Sequence, residues 1–354
     1  MEKELIFISS QPNDLQFIWQ LEIQLHNFKK LGILDKYDYH ITVWNNSQRQ
    51  PPLMFAEEWR DIQLRYKDTR AKFFFYNETK GELVNCIIKF RYASLVRPWV
   101  LAQHFIAYPE LKEKALFYTD QDVLFTKFPD FIDRMKDDDI NYMSETRSYI
   151  AASYFDSKIK DVLPDRLEAY KQADPLQECL DNFRLKREIA DKNELNSGGA
   201  QYILKNIDCH FWENIFKQCI DIKLTLQNVN RRFFENEDKG FQSWCADMWA
   251  ILWSLWADNR ETRCPQEMDF AWATDKIEKL DKVYLYHNAG VTQHNSLRTG
   301  ENFNRLFYKG SAKYVNNLGT PFNDDHSYVS NDFCSSFYVK EMEETRLAAL
   351  QLVT

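Results

Sequence analysis

Ala115-Leu116-Phe117-Tyr118-Thr119-Asp120-Gln121-Asp122-Val123-Leu124-Phe125 is the stretch on which the fold turns. Residues 115–119 form an unbroken, mostly apolar run of strand length, the pattern of a strand buried on both faces. Two carboxylates two positions apart follow at once, and then a second apolar run. On an extended segment residues i and i+2 point to the same side. Asp120 and Asp122 are therefore expected to converge at a strand end, where open α/β sheets collect ligands. Adjacent carboxylates repel, and a divalent cation relieves that repulsion while bridging a diphosphate. The spacing by itself is weak, because Asp137 and Asp139 repeat it with no strand before them. The preceding strand is what sets the first pair apart.

On either side of this stretch the chain alternates strands and helices. Leu5-Ile6-Phe7-Ile8-Ser9-Ser10 reads as a buried parallel strand with its exit loop. Phe17, Leu21, Ile23, Leu25, Phe28 and Leu31 fall at helical spacing and end at Gly32. Tyr39-His40-Ile41-Thr42-Val43-Trp44 then completes a βαβ unit. Residues 72–76 and 83–90 are expected as further strands, and 92–107 as a helix with Pro98 in its first turn. From 127 to 283 helices mix with short strands. Asn196-Ser197-Gly198-Gly199 reads as a loop opening the apolar segment 200–207, and 241–258 as a Trp-rich helix. Val283-Tyr284-Leu285-Tyr286 is a late strand ending at His287, and 339–353 is helical in pattern. No internal repeat is visible, and the class is α/β.

Composition excludes several classes. The 354 residues suggest one large domain or two lobes, and 44% hydrophobic with 28% charged residues is a globular balance. Only 9 Gly and 10 Pro rule out collagen-like and low-complexity chains. A net charge of -8 provides no general counterion-release drive toward a polyanion. A local basic groove near Arg231 and Arg232 keeps nucleic acid in view as an acceptor, although that reading is disfavoured. The 7 cysteines include no C-x-x-C pair, which points to reduced thiols rather than a disulfide framework or a zinc site. The N-terminal apolar run is too short for a signal peptide, and residues 248–257 are far shorter than a membrane span. A cytoplasmic protein without a membrane span is expected. Dinucleotide-binding, P-loop and nucleophile-elbow motifs do not occur.

Two further residues could do chemistry. His287 ends an apolar strand, and Gly290 follows three residues later. Imidazole beside carboxylates suits Mn²⁺ and similar ions better than Ca²⁺. Asp247 sits among aromatics in Trp244-Cys245-Ala246-Asp247-Met248-Trp249. A carboxylate there needs a partner, which would be an arginine, a sugar hydroxyl or an acceptor proton.

The strand-Asp-x-Asp segment together with His287-Asn288-Ala289-Gly290 resembles the GT-A glycosyltransferases, specifically the Asp-x-Asp and His-x-x-Gly motifs of the glycogenin-like and lipopolysaccharide-galactosyltransferase-like enzymes. The resemblance follows the order of elements over most of the chain, but two short motifs carry it. Those enzymes continue with Lys-Pro-Trp; here Gln293-His294-Asn295 stands instead. Lys309 is the substitute candidate for touching the diphosphate, with Arg298 second.

The resemblance implies a Rossmann-like mixed sheet flanked by helices in two fused lobes. Residues 1–126 would be the nucleotide-sugar half, 127–310 the acceptor half with the late metal-ligand strand, and 311–354 a C-terminal tail. It implies a Mn²⁺ or Mg²⁺ ion on Asp120, Asp122 and His287, with Asp120 also reaching the ribose. Ser9, Ser10 and Gln11 would cradle the base of a nucleotide-diphosphate sugar, with UDP-sugar favoured, and Arg97 would approach the same donor. Asn196, Ser197, Gly198 and Gly199 would hold the donor sugar and admit a hydroxyl acceptor. Asp247 would act as general base in an inverting enzyme. In a retaining one, which the His-x-x-Gly motif favours, it would bind a donor hydroxyl with Gln201 nearby. Asp269 and Trp272 are weaker candidates for acceptor contact. Two rivals are a sugar nucleotidyltransferase, disfavoured by the glycine-free 9–14 segment, and a non-catalytic carbohydrate-binding protein of the same fold.

Overall fold

A computed structural model describes residues 3–46, 54–237, 239–291 and 305–351. The chain begins with β1 (Leu5–Pro12), α1 (Leu15–Lys30), β2 (Asp38–Asn46) and β3 (Ala71–Glu78). Next come α2 (Val96–Ala107), β4 (Ala115–Tyr118), β5 (Val123–Phe125), β6 (Asn141–Glu145) and β7 (Gly198–Lys205). The remainder holds α3 (Cys209–Phe233), α4 (Ala246–Ala257), β8 (Thr262–Arg263), β9 (Phe270–Trp272), β10 (Leu285–His287) and α5 (Ser335–Gln351). Strands interspersed with helices make the protein α/β, as the sequence pattern implies.

Two compact units divide the chain. The β1 unit comprises Leu5–Thr79, Thr119–Arg134 and Gln266–Thr354, and the β7 unit comprises Met1–Glu4, Lys80–Tyr118 and Met135–Pro265. In the β1 unit, β1 pairs parallel with β2, from Ile6 opposite Asp38 to Pro12 opposite Trp44, and β2 pairs parallel with β3. Residues 5–11 are all buried, which explains why β1 shows no polar alternation. A second small sheet has β10 antiparallel to β5 and parallel to β9. Its core gathers Trp19, Leu124, Tyr286, Phe307, Phe333 and Tyr338.

Helix α1 also works through two buried amides. The Asn27 carboxamide donates to the Phe125 carbonyl at 3.0 Å and accepts from the Phe125 N–H at 2.9 Å. Gln24 donates to the carbonyls of Asp120 at 2.7 Å and Val123 at 2.8 Å. A helix side chain therefore substitutes for a strand neighbour and fixes the acidic segment in place.

In the β7 unit, β7 lies antiparallel to both β4 and β6, with a bulge between Met143 and Ser144, and β6 runs parallel to β8. Trp249 and Trp253 of α4 stack at 5.9 Å within its core, and the Trp249 indole donates to the Ile150 carbonyl at 2.7 Å. No helix among the described residues is long and apolar enough to cross a membrane.

Two expectations are corrected. The expected strand 83–90 is a helix, Glu82–Phe90, opened by Gly81 at φ 72°. Leu83, Val84, Ile87 and Ile88 follow a helical rather than a two-residue period. The expected 196–199 loop ends early, because Gly198 and Gly199 are buried residues of β7 opposite Glu145 and Ser144. A Cβ on Gly198 would lie 2.4 Å from the Ser144 carbonyl oxygen, and one on Gly199 2.2 Å from Met248. Close packing against the Ser144 carbonyl requires glycine at 198, whatever else it does.

Asn27→Ala removes the side-chain partner of both the carbonyl and the N–H of Phe125. It is expected to lower stability by about 2–6 kcal/mol, from roughly 1–3 kcal/mol for each of the two groups. Urea denaturation of the variant against wild type measures this, and unchanged stability would contradict the clamping role.

Candidate metal centre and its surroundings

The metal candidates all belong to the β1 unit. Asp120, Gln121 and Asp122 form a turn closed by the Val123 N–H on the Asp120 carbonyl at 3.3 Å. They are not an extended pair, as the sequence suggested, yet the carboxylates still converge. The register of β10 on β5 sets His287 opposite Val123, and the Asn288 N–H donates to the Asp122 carbonyl at 2.9 Å. Residues 165 positions apart in sequence thereby become neighbours (287 minus 122). Asp120, Asp122 and His287 each offer a ligand atom, and these atoms all lie within 4.8 Å of one another.

The centre is strongly polarised. Asp122 is 4% and His287 8% exposed, and His287 Nε2 stands 3.5 Å from Asp122 Oδ1. Lys309 Nζ pairs directly with Asp122 Oδ2. Burial alone would raise the Asp122 carboxyl, but the Lys309 ammonium and then His287 overcome it and hold the group well below the usual carboxylate range. The Trp272 ring stacks on the imidazole at 5.5 Å and 18°, with Phe270 at 5.6 Å, which fixes the ring's plane.

Polar atoms without partners surround this cluster. The Asn288 carbonyl oxygen accepts from the Tyr286 hydroxyl at 3.0 Å, while its Nδ2 is buried without a hydrogen-bond partner. In β1 the Ser9 hydroxyl is engaged by Tyr39 at 2.8 Å, and Gln121 donates to the Ser10 carbonyl at 3.2 Å. The Ser10 hydroxyl and both polar atoms of the Gln11 amide are buried and unpaired. Each such group costs roughly 1–3 kcal/mol unless a ligand satisfies it. Two carboxylates and an imidazole are a mixed oxygen and nitrogen donor set, so the residues present fit a divalent ion.

The remaining candidates lie in the β7 unit. Asp247, 4% exposed, meets the Arg97 guanidinium at 2.8 Å and accepts from the Tyr92 hydroxyl at 2.9 Å. Arg97 also lies over the Tyr118 ring at 4.5 Å. Burial and then Asp247 push the Tyr92 phenol well above its usual range, so it remains a donor. Gln201 is buried and accepts from Ser144 at 2.7 Å. Asn196 and Ser197 immediately precede β7. Arg232 is paired with Glu178 at 2.5 Å and Arg231 donates to Asn228 at 2.5 Å. Asp269 directly precedes β9. Gln293, His294, Asn295 and Arg298 lie outside the described residues.

Sequence reasoning missed Gln24, Tyr92 and the unpaired Nδ2 of Asn288. Gln24 and Tyr92 act through single side chains on other elements, for which no local pattern exists. Asn288 lay inside the quoted His287–Gly290 motif and could have been singled out.

Comparison with protein-family models and with curated proteins gives no match. Among solved structures the chain is similar to the apo WbbM bifunctional glycosyltransferase, at 10% identity and TM-score 0.49, covering 99% of this chain and 52% of that one. This chain thus spans about half of WbbM. It is also similar to core-mannan synthase A (CmsA/Ktr4) from Aspergillus fumigatus in a Mn/GDP form, at 10% identity and TM-score 0.26, covering 66% and 70%. Both scores are too low to carry the reading of the site, which rests on its own geometry.

Mn²⁺ titration of wild type by calorimetry is expected to show one site, weakened about 100-fold in Asp122→Asn and in His287→Ala. Equal affinity in all three proteins would contradict the ligand set. In acid, the lowered folded-state pKa of Asp122 means that its stabilising charge, full above the ordinary value of 3.8, is lost only as pH falls through the lower folded value. Carboxyl ¹³C NMR is therefore expected to find Asp122 ionised at about pH 3, where exposed carboxylates are mostly protonated, and to find it shifted upward in Lys309→Met. An Asp122 signal that titrates with exposed carboxylates would contradict this.

Proposed function

We propose that the protein is a GT-A-type glycosyltransferase that moves a sugar from a nucleotide-diphosphate donor, UDP-linked by preference, to a hydroxyl acceptor on a glycan or similar molecule. The observation that carries this reading is the meeting of Asp120, Asp122 and His287 within 4.8 Å beside the Lys309 ammonium. Asp120, Asp122 and His287 would hold Mn²⁺ or Mg²⁺, which when bound neutralises charge on the diphosphate leaving group.

Each residue then has a defined task. Lys309, which pairs with Asp122 in this structure, would donate to the departing diphosphate. Ser10 and Gln11, whose buried polar atoms have no partner, hydrogen-bond the nucleotide base or ribose. Gln24 keeps the acidic turn in register through its bonds to the Asp120 and Val123 carbonyls. In the β7 unit Asp247, oriented by Arg97 and Tyr92, accepts a hydrogen bond from a sugar hydroxyl with Gln201 in a supporting role, and transfer proceeds with retention. Asn196, Ser197, Gly198 and Gly199 border the sugar. The enzyme would be cytoplasmic.

Nucleotide release from UDP-glucose, UDP-galactose and GDP-mannose tests this proposal. Turnover is expected only with Mn²⁺ or Mg²⁺, and Asp122→Asn is expected to reduce it by about 100-fold or more with the fold intact by circular dichroism. Metal-independent turnover insensitive to this substitution would contradict the reading. Pyrophosphate release from a nucleoside triphosphate would place the chain among nucleotidyltransferases instead.

A further inference from the structure

Of the ten tryptophans, nine are buried or half-buried and Trp244 alone is exposed, at 58%. An exposed indole offers a broad, rigid apolar face with a polar edge to a ligand. Trp244 sits in a rigid setting. It occupies the helical turn Ser243–Cys245 just before α4, and its carbonyl accepts from the buried Tyr92 hydroxyl at 3.0 Å. The same hydroxyl donates to Asp247 at 2.9 Å. Tyr149 stacks on Trp244 with centroids 6.2 Å apart and planes at 27°. All four residues belong to the β7 unit.

We infer that Trp244 and Tyr149 form a binding platform for one sugar ring of the acceptor saccharide. This deepens the proposed function and rests on it for the word acceptor. Two observations favour a saccharide. Beside Tyr149 the indole is still 58% exposed, and the C–H face of a pyranose packs on such an electron-rich ring face. Polar groups adjoin the platform in the chain: Arg147, paired with Glu145 at 2.8 Å, begins the turn that carries Tyr149, and both side chains are about two-fifths exposed (40% and 37%). Such groups hydrogen-bond sugar hydroxyls from the rim. Through Tyr92, the platform and the Asp247 carboxylate are fixed to the same phenol, so a ring seated on Trp244 is held at a set distance from the carboxylate.

The test reads saccharide binding without nucleotide or metal. Protein labelled with 5-fluorotryptophan is titrated with methyl glycosides and trisaccharides of glucose, galactose and mannose in EDTA, and the Trp244 ¹⁹F signal is assigned by its loss in Trp244→Tyr. At least one saccharide is expected to shift the Trp244 signal. Trp244→Ala should weaken binding of that saccharide about tenfold, with Trp244→Tyr retaining most of it. A Trp244 signal unmoved by every saccharide overturns the proposal. A signal that moves with protein concentration alone also overturns it, in favour of an interface between copies. Nucleotide release is measured separately: a protein that binds saccharide at Trp244 but turns over no nucleotide sugar keeps the platform and loses the transferase reading.

Discussion

The structure of the centre depends on a buried negative charge at Asp122 that is never left alone. A carboxylate 4% exposed is unfavourable by several kcal/mol in isolation, and two cationic or potentially cationic groups, Lys309 and His287, approach it from segments far away in the sequence. That need for compensation ties the acidic turn to β10 and to the segment that follows it. A second need adds to it, since the turn has backbone carbonyls with no strand partner. Gln24 and Asn27, polar residues on the inner side of α1, supply what a strand would have supplied.

The same arrangement explains how a site can be stable and still ready for a ligand. Lys309 occupies Asp122 as a counter-ion, and a divalent cation held by two carboxylates and an imidazole would take that role with more charge. The lysine would then be available to an anionic ligand. Stacking on Trp272 limits the imidazole's rotation, so little side-chain entropy remains to be lost when a ligand arrives. The unpaired Gln11 amide and Asn288 Nδ2 belong to the same pattern, polar groups that a ligand would satisfy.

Much of this was legible in the sequence. Continuous apolar runs announced β1, β2, β4 and β10, and the residues placed at their ends, Asp120, Asp122 and His287, do meet. Lys309 was legible only through a missing lysine elsewhere in a family motif. What failed, failed for physical reasons. Residues 83–90 are too short and too apolar for period alone to separate strand from helix without close attention to the 83, 84, 87, 88 spacing. Gly198 and Gly199 read as a loop because two adjacent glycines mark turns more often than they mark a crowded strand. The platform at Trp244 and its link through Tyr92 to Asp247 have no sequence signal, because exposure is a property of the fold.

Electron spin-echo spectroscopy of bound Mn²⁺ addresses the central claim most directly, since it reads which nuclei touch the ion. The account predicts a coupling to one imidazole nitrogen in the wild-type protein that vanishes in His287→Gln while Mn²⁺ remains bound more weakly. A spectrum without nitrogen coupling, or one unchanged by that substitution, would contradict it.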